Sequence, residues 1–211
     1  MTSAAFLTHF FRDLNCTVTA YLPERHIEGY GLNSDAVRKI REQGTTLMIT
    51  ADCGITGVKE VALANELGLD VIVTDHHQGG EEGLPKAVAV LNPHRNECDY
   101  PFRFLSGVGL AFKLAVGIRK GLYTAGRKKE ALPNLKRHLD LFALGTIADV
   151  APLTGENHIL TRHGLDVLST SSKPGLVALK EVAGISTIRL PPPTTANFSV
   201  RAPSKRWLKK L

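Results

Sequence analysis

Residues 71–80 read VIVTDHHQGG, and this stretch decides how the chain is expected to fold. Four aliphatic or β-branched residues run into an acid and two adjacent histidines, and a polar, glycine-rich turn follows. A short apolar run that stops at a polar loop is typical of a buried strand. Three potential metal ligands therefore stand side by side at the point where a strand is predicted to end.

A second apolar run ends in the same way. Residues 45–51 read TTLMITA and stop at Asp52, one strand-helix unit before Asp75. Ligands of an open parallel sheet gather at the carboxyl ends of its strands. Asp52, Asp75, His76 and His77 are therefore expected at one rim, although a single acid at a strand end is often only a cap or a turn former.

Apolar runs alternate with helical patterns over the first half of the chain, and helical patterns dominate the second half. Strand-like runs occupy 17–22, 45–51, 71–74 and 87–91. Helices are predicted at 3–14, 33–41, 56–67, 105–120, 133–147, 158–168 and 176–182. This order predicts an α/β fold, with a parallel sheet covered by helices on both faces and followed by a helical segment.

Composition restricts the class of protein. The chain has 211 residues, of which 43% are hydrophobic, as is ordinary for a globular domain. No apolar run approaches the roughly 20 residues that a membrane helix needs. The three cysteines are widely spaced and predict neither a disulfide framework nor a zinc site. We therefore expect a cytoplasmic protein without a membrane partner.

The net charge of +6 is unevenly distributed. Residues 187–211 contain six basic residues and no acid, so the remaining 20 basic residues are balanced by 20 acidic ones. Net charge therefore says little about what the folded part binds. A local basic cluster spans residues 119–137 and is consistent either with a solvated surface or with a patch for a phosphate backbone.

A third acid is expected at the same rim. Asp149 stands between apolar residues, where a bare carboxylate is unfavourable unless it is paired, hydrogen-bonded or metal-bound. A helix cap is the alternative. Carboxylates with one or two imidazoles suit Mn²⁺ or a similar ion, and two ions about 3.5 to 4 Å apart can activate water against a phosphoester. Cys53 has no second thiolate nearby and is interpreted as a small buried residue.

One further segment could contact phosphate. The stretch FLSGVGLAFKL, residues 104–114, places Ser106, Gly107 and Gly109 at the start of a helix. Backbone N–H groups at such a position could hold a phosphate oxygen. Close packing between helices would explain the two glycines equally well.

Taken in order, six stretches resemble the DHH phosphoesterase superfamily, and within it the exonucleases specific for single-stranded DNA. They are PERHIEGYGLN (23–33), TADCGI (50–55), VTDHH (73–77), NPHR (92–95), SGVGLAFKL (106–114) and LGTIADVAPLTGENHILTRHGL (144–165). Their order and spacing make the resemblance specific. A DHH triplet alone would be a weak indication.

The resemblance implies a 5′-to-3′ exonuclease that acts on single-stranded DNA in recombination and repair and needs Mn²⁺ or Mg²⁺ at a two-metal site. It implies that Asp52 bridges both ions and that His76 and Asp149 bind one of them. His77 is then expected to contact the scissile phosphate, and Asp75 to orient the two histidines. A single-strand-binding protein or other replication and repair factors are the protein partners that the resemblance suggests.

The sequence departs from the family pattern at both ends. The family's first motif is Asp-x-Asp-Ala-Asp-Gly, followed by a hydrophobic residue and Thr-Ser, and residues 1–3 align with its tail. Residues 1–186 are therefore expected to form a DHH-type catalytic domain that lacks its first strand and first aspartates, with weak metal binding and little nuclease activity. Residues 187–211 are expected to be a disordered, basic, proline-rich tail. A frameshift would produce such a tail, and a genuine short variant is the alternative.

Two other functions are consistent with these residues. One is a smaller DHH phosphatase or oligonucleotide hydrolase, which would retain the first motif and a compact second domain. The other is a non-catalytic protein that kept the fold and binds nucleic acid or a replication partner. Replacing both His76 and His77 by Ala would abolish the activity of an enzyme and leave the binding of a non-catalytic protein unchanged.

Overall fold

A computed structural model describes residues 1–24, 26, 29 and 31–184. Its helices are α1 (Thr2–Asp13), α2 (Ser34–Glu42), α3 (Val58–Glu66), α4 (Gly107–Thr124), α5 (Leu139–Ala148), α6 (Gly155–Ser169) and α7 (Pro174–Val182). Its strands are β1 (Leu47–Ile49), β2 (Asp70–Thr74) and β3 (Ala89–Leu91), and short 3-10 turns span Lys129–Ala131 and Leu135–His138. None of the described helices is long and apolar enough to cross a bilayer.

The three strands form one parallel sheet in the order β1-β2-β3. Met48 lies opposite Val71 in the first pair, and Val73 lies opposite Val90 in the second. Because all three strands run the same way, their carboxyl ends meet at one edge of the sheet. This edge carries the residues that the sequence singles out.

One face of the sheet packs against α2 and α3. Val37 and Val61 from these helices join Met48, Val71 and Val73 from the strands in one buried cluster. Alternate side chains along a strand point to opposite faces, so Val71 and Val73 share this face. Burial of such side chains contributes about 1.5 to 3 kcal/mol each to stability.

The other side of β1 packs against a second, helical cluster. Ile49 and Ala51 contact a core that includes Phe6 and Phe10 of α1 and Val108 of α4. Helices therefore cover both faces, which confirms the predicted α/β architecture. The same cluster holds α4 beside the sheet, with its first turn at the carboxyl edge.

Helices α5 and α6 lie in direct backbone contact. A Cβ added at Gly164 would overlap the Leu139 carbonyl and approach the Ala143 methyl group at 2.7 Å. Helix α7 is joined to α5 by Asp140, which is 0% exposed and lies 2.6 Å from the Lys173 Nζ. These contacts fix the first half of α5, and Asp149 lies just past its other end.

The structure differs from the sequence-based expectation at two places. Residues 17–22 form no strand, because they are mostly exposed and pair with no strand in the described part of the chain. The helix predicted at 133–147 is divided into a 3-10 turn and α5. Asn33 caps α2, since its Oδ1 accepts a hydrogen bond from Ala36 N at 2.7 Å. The basic segment 187–211 lies outside the described residues.

Candidate metal centre

Two threonines lock the ends of β1 and β2 together. The Thr74 hydroxyl donates to the Thr50 carbonyl at 2.6 Å, and the Thr50 hydroxyl donates to the Cys53 carbonyl at 2.7 Å. Pairing continues past the strand ends, because Asp52 N donates to the Thr74 carbonyl at 2.9 Å. The backbone that carries Asp52 is therefore fixed by hydrogen bonds on both sides.

Asp52 adopts a left-handed backbone conformation with φ of 69°. Such a conformation is uncommon for a residue other than glycine, and it persists where the surroundings enforce it, often at functional sites. Gly107, the first residue of α4, lies directly against the Asp52 carboxylate, and a Cβ there would overlap it. The glycine is required by this close approach.

His76 lies between two carboxylates from different parts of the chain. The His76 Nε2 lies 3.1 Å from the Asp52 Oδ1 and 3.5 Å from the Asp149 Oδ2. The Asp52 Oδ1 and the His76 Nε2 are both buried, and neither has a partner with hydrogen-bond geometry in the described part of the chain. Buried polar atoms are nearly always satisfied. A cation bound between them would satisfy both, so these residues fit a metal ion.

The position of Asp149 also favours a cation. It caps the C-terminus of α5, where the helix dipole is negative and a carboxylate is unfavourable. The next residue, Val150, has φ of 55°, which is unusual for a β-branched side chain. The alternative that Asp149 serves as a stabilising helix cap is therefore not favoured.

The pKa values of the site residues reflect the two carboxylates that surround His76. The Asp52 carboxylate is the main cause that raises the pKa of His76, and burial of the imidazole opposes it. Burial raises the pKa of Asp149, and the nearby His76 partly opposes that shift. A positive charge is therefore favoured at the point where the three side chains meet.

Asp75 is buried and holds His77 in one orientation. Its Oδ1 lies 2.6 Å from the His77 Nδ1 and accepts a hydrogen bond from His77 N at 3.2 Å. Its Oδ2 accepts from Ile55 N at 2.9 Å. With Nδ1 engaged, Nε2 is the free nitrogen of a side chain that is 48% exposed. A His77 ring nitrogen lies within 4.8 Å of ligand atoms of Asp52 and His76.

Sequence reasoning missed Asn92 as a positioning residue. Its Nδ2 donates to the His77 carbonyl at 2.8 Å, and its Oδ1 accepts from His94 N at 2.7 Å. Asn92 is 4% exposed and directly follows β3. It thus repeats, on the third strand, the pattern by which Asp52 and Asp75 were recognised. That repeated position is the signal that could have identified it.

The residues predicted to contact phosphate are all buried. The Ser106 hydroxyl lies 2.9 Å from the Thr146 hydroxyl and accepts a hydrogen bond from Gly109 N at 3.3 Å. Gly107 faces Asp52, and a Cβ at Gly109 would meet Leu105 at 3.1 Å. Capping and packing account for these contacts, so phosphate binding by the segment stays a prediction.

Two other sequence features are Cys53, which differs from the expectation, and the basic cluster. Cys53 is partly exposed rather than buried, and burial is the main cause that raises the pKa of its thiol. The basic cluster at 119–137 begins near the end of α4, and a helix rises about 1.5 Å per residue. Arg119, where the cluster begins, is thus about 18 Å along the helix from Gly107.

Comparison with known proteins agrees with this geometry. The N-terminal domain of the DHH family matches residues 1–146. The single-stranded-DNA-specific exonuclease RecJ of Bacillus subtilis (strain 168) is 43% identical over 184 residues, which cover 87% of this chain and 22% of the relative. The corresponding RecJ of Escherichia coli (strain K12) is 42% identical over 187 residues, covering 86% of this chain and 32% of the relative.

A solved structure shares the fold as well. A crystal structure of exonuclease RecJ bound to manganese superposes with a TM-score of 0.73 and 36% identity, covering 87% of this chain and 44% of that one. The chain thus spans between about a fifth and a third of the length of the two curated relatives. The arrangement of its strand-end ligands and these matches show that the chain belongs to the DHH family.

Proposed function

We propose that this chain carries the metal-dependent phosphodiesterase core of a 5′-to-3′ exonuclease acting on single-stranded DNA. The observation that carries the proposal is the position of the His76 Nε2, 3.1 Å from the Asp52 Oδ1 and 3.5 Å from the Asp149 Oδ2. The first two of these atoms are buried and have no partner with hydrogen-bond geometry among the described residues. The names of the relatives support the choice of substrate.

Asp52, His76 and Asp149 are the proposed metal ligands. Two carboxylates and an imidazole suit Mn²⁺, and Mg²⁺ is also compatible with such an oxygen-rich set. A bound ion would activate water and neutralise charge on the phosphate. The described residues furnish ligands for one ion, so a two-metal site with Asp52 as the bridging carboxylate would need further ligands.

His77 is the proposed contact to the scissile phosphate. The side chain is 48% exposed, so a substrate can reach it, and Asp75 holds Nδ1, which leaves Nε2 for this contact. A protonated Nε2 can donate to a phosphate oxygen. Asp75 acts through His77 and is a positioning residue, and Asn92 fixes the same segment through the His77 carbonyl.

Partners and compartment follow from this substrate. Single-stranded DNA is the proposed substrate, and a single-strand-binding protein or other replication and repair factors are the proposed protein partners. A cytoplasmic location agrees with three free cysteines. The alternative of a non-catalytic protein is less favourable, because the buried Asp52 Oδ1 and His76 Nε2 have no partner with hydrogen-bond geometry among the described residues, and a metal ion would satisfy both.

Titration calorimetry with Mn²⁺ tests the proposal. The unmodified chain should bind Mn²⁺, and the double variant His76→Ala/His77→Ala should lose both binding and any cleavage of single-stranded DNA. A matched double variant, Lys59→Ala/Glu82→Ala, removes an exposed ion pair and should change neither. Failure of the folded, unmodified chain to bind Mn²⁺ would overturn the proposal.

Cleavage itself should be slow. The described ligand set serves one ion, whereas phosphoester cleavage is most efficient when two ions clamp the attacking and leaving oxygens. Rapid Mn²⁺-dependent degradation of single-stranded DNA by the pure chain would contradict this expectation while supporting the catalytic assignment.

A further inference from the structure

We propose that Phe104, supported by Phe102 and flanked by Arg103, is a stacking site for an unpaired base of a single nucleic-acid strand whose phosphate lies at the metal centre. This inference rests on the proposed function and assigns a substrate contact to it. The site would contact the flat face that every base has, so it would bind single strands without regard to their sequence.

Phe104 is exposed although the backbone that carries it is held firmly. Its side chain is 57% exposed, whereas the next two residues, Leu105 and Ser106, are each 1% exposed. Its carbonyl accepts a hydrogen bond at 2.6 Å from the Nδ2 of Asn157, a residue with 0% exposure. The exposure of the ring is therefore a fixed feature of the surface.

Phe102 supports the ring from one side. The Phe102 ring lies over Gly155, where an added Cβ would come within 2.9 Å of it. The rings of Phe102 and Phe104 meet at 72° with centroids 5.9 Å apart, an edge-to-face contact. This contact occupies part of Phe104 and leaves the remainder of a well-oriented ring available to a ligand.

The platform adjoins the metal centre through two connections. Phe104 lies three residues before Gly107, which lies against the Asp52 carboxylate. Asn157 also donates to the Pro152 carbonyl at 3.0 Å, so it joins the Phe104 segment to the loop that follows Asp149. The segment that carries Phe104 is therefore connected to both Asp52 and Asp149 through a few residues.

Arg103 supplies the charge that a strand requires. It is exposed, forms no ion pair within the described part of the chain, and donates only a long hydrogen bond of 3.4 Å to the Cys98 carbonyl. Burial is the main cause that lowers the pKa of His94, and the positive charges of Arg103 and His76 lower it further. A cation near the centre and not engaged by a carboxylate can contact a backbone phosphate.

A nucleic-acid strand fits this surface better than an apolar protein segment does. Aromatic rings interleaved with a free cation are the usual elements of sites for single strands, since every base has a face that can stack. An apolar partner would use Phe104 but would leave Arg103 and the metal centre without a role.

Fluorescence anisotropy with two labelled oligomers tests the inference. One is an oligothymidylate, and the other is an abasic strand of equal length with the same phosphates, both in buffer with Ca²⁺ in place of Mn²⁺. Phe104→Ala should weaken binding of the oligothymidylate about fivefold or more and leave the abasic strand unaffected. Phe104→Trp should retain binding.

Arg103 has a separate readout. Arg103→Gln should weaken both oligomers and reduce the slope of log K against log salt by about 0.7, the value for one phosphate contact on a single strand. Matched controls lie on other parts of the surface. Tyr123→Ala removes an aromatic residue that is 60% exposed near the end of α4, and Arg38→Gln removes an exposed cation from α2. Both control variants should bind like the unmodified chain.

Four results would overturn the inference. They are equal losses for both oligomers in Phe104→Ala, no loss for either, equal effects in the control variants, and failure of the unmodified chain to bind either strand. Mn²⁺ affinity is measured in parallel and should be unchanged in Phe104→Ala. If the chain binds Mn²⁺ but shows one of these results, the stacking site is excluded and the proposed metal centre is not affected.

Discussion

Gly107 and Asp52 approach so closely that no side chain fits between them. The first residue of α4 lies against the Asp52 carboxylate, and even a methyl group at Gly107 would overlap that carboxylate. Because Asp52 is held by backbone hydrogen bonds at φ of 69°, it cannot move away without disturbing the ends of the strands. The position of a proposed metal ligand thus depends on the absence of a side chain on a different element.

Gly107→Ala should therefore weaken Mn²⁺ binding by at least tenfold. The added methyl group would displace the Asp52 Oδ1 from the point that it shares with the His76 Nε2. Calorimetry with Mn²⁺ measures the change, and circular dichroism establishes that the variant is folded.

Gly117→Ala is the matched control on the same helix. A Cβ at Gly117 has nothing within 4 Å, so alanine should stabilise α4 by up to about 1 kcal/mol and leave Mn²⁺ binding unchanged. Equal Mn²⁺ affinities in the two alanine variants would show that the contact with Asp52 is unimportant for binding.

Asp75→Asn should separate orientation of His77 from metal binding. An amide of the same size has one acceptor oxygen, whereas the Asp75 carboxylate accepts from Ile55 N with one oxygen and contacts His77 with the other. We expect a loss of about 1 to 3 kcal/mol in stability, because a buried donor loses its partner. Cleavage should fall at least tenfold, while the Kd for Mn²⁺ changes little. An equal loss in cleavage and in Mn²⁺ affinity would assign Asp75 to metal binding instead.

The strand-end residues could be predicted from sequence because a parallel sheet brings its carboxyl ends to one edge. That rule needs only the two apolar runs before Asp52 and Asp75, and the structure places both acids and His76 at this edge. The arrival of Asp149 beside them depends on how α5 packs. Its apolar neighbours raised the expectation of a partner, but they did not indicate which one.

Other features depended on tertiary contacts that no local pattern shows. Residues 17–22 have the β-branched composition of a strand, yet a strand needs a neighbour to pair with, and the described chain provides none there. Asn157 reads as an ordinary polar residue near a helix start. Its burial arises only because α6 meets the loops that contain Phe104 and Pro152.

Mn²⁺ binding should tighten as the pH rises. The Asp52 carboxylate raises the pKa of His76 above its ordinary value of 6.5, so at lower pH an incoming ion must displace a proton from this imidazole. We expect the Kd for Mn²⁺ to fall about tenfold per pH unit below the raised pKa and to level off above it. Calorimetry in buffers of different ionisation enthalpy should detect the released proton. A Kd independent of pH over this range would exclude His76 as a ligand.

Stability of the metal-free chain should change with pH in the opposite direction. Because the folded-state pKa of His76 is raised, its contribution is fully present below the unfolded value of 6.5 and is lost as the pH rises through the folded-state pKa. Comparing the unmodified chain with His76→Gln by urea denaturation across this window isolates the effect from that of other groups. A stabilising contribution of His76 that grows as the pH rises would contradict this prediction.

Asp140 and Lys173 provide a test of what holds α7 against α5. Asp140 is 0% exposed and binds the Lys173 Nζ at 2.6 Å and the Ser171 hydroxyl at 2.8 Å. Asp140→Ala leaves a partly buried ammonium group without its carboxylate, so we expect a loss of about 3 kcal/mol or more in the free energy of unfolding. Glu82→Ala removes the partner of Lys59 from a pair whose side chains are 58% and 80% exposed, and it should cost less than about 1 kcal/mol. Urea denaturation measures both, and equal losses would mean that burial of the Asp140 pair contributes nothing beyond an ordinary surface contact.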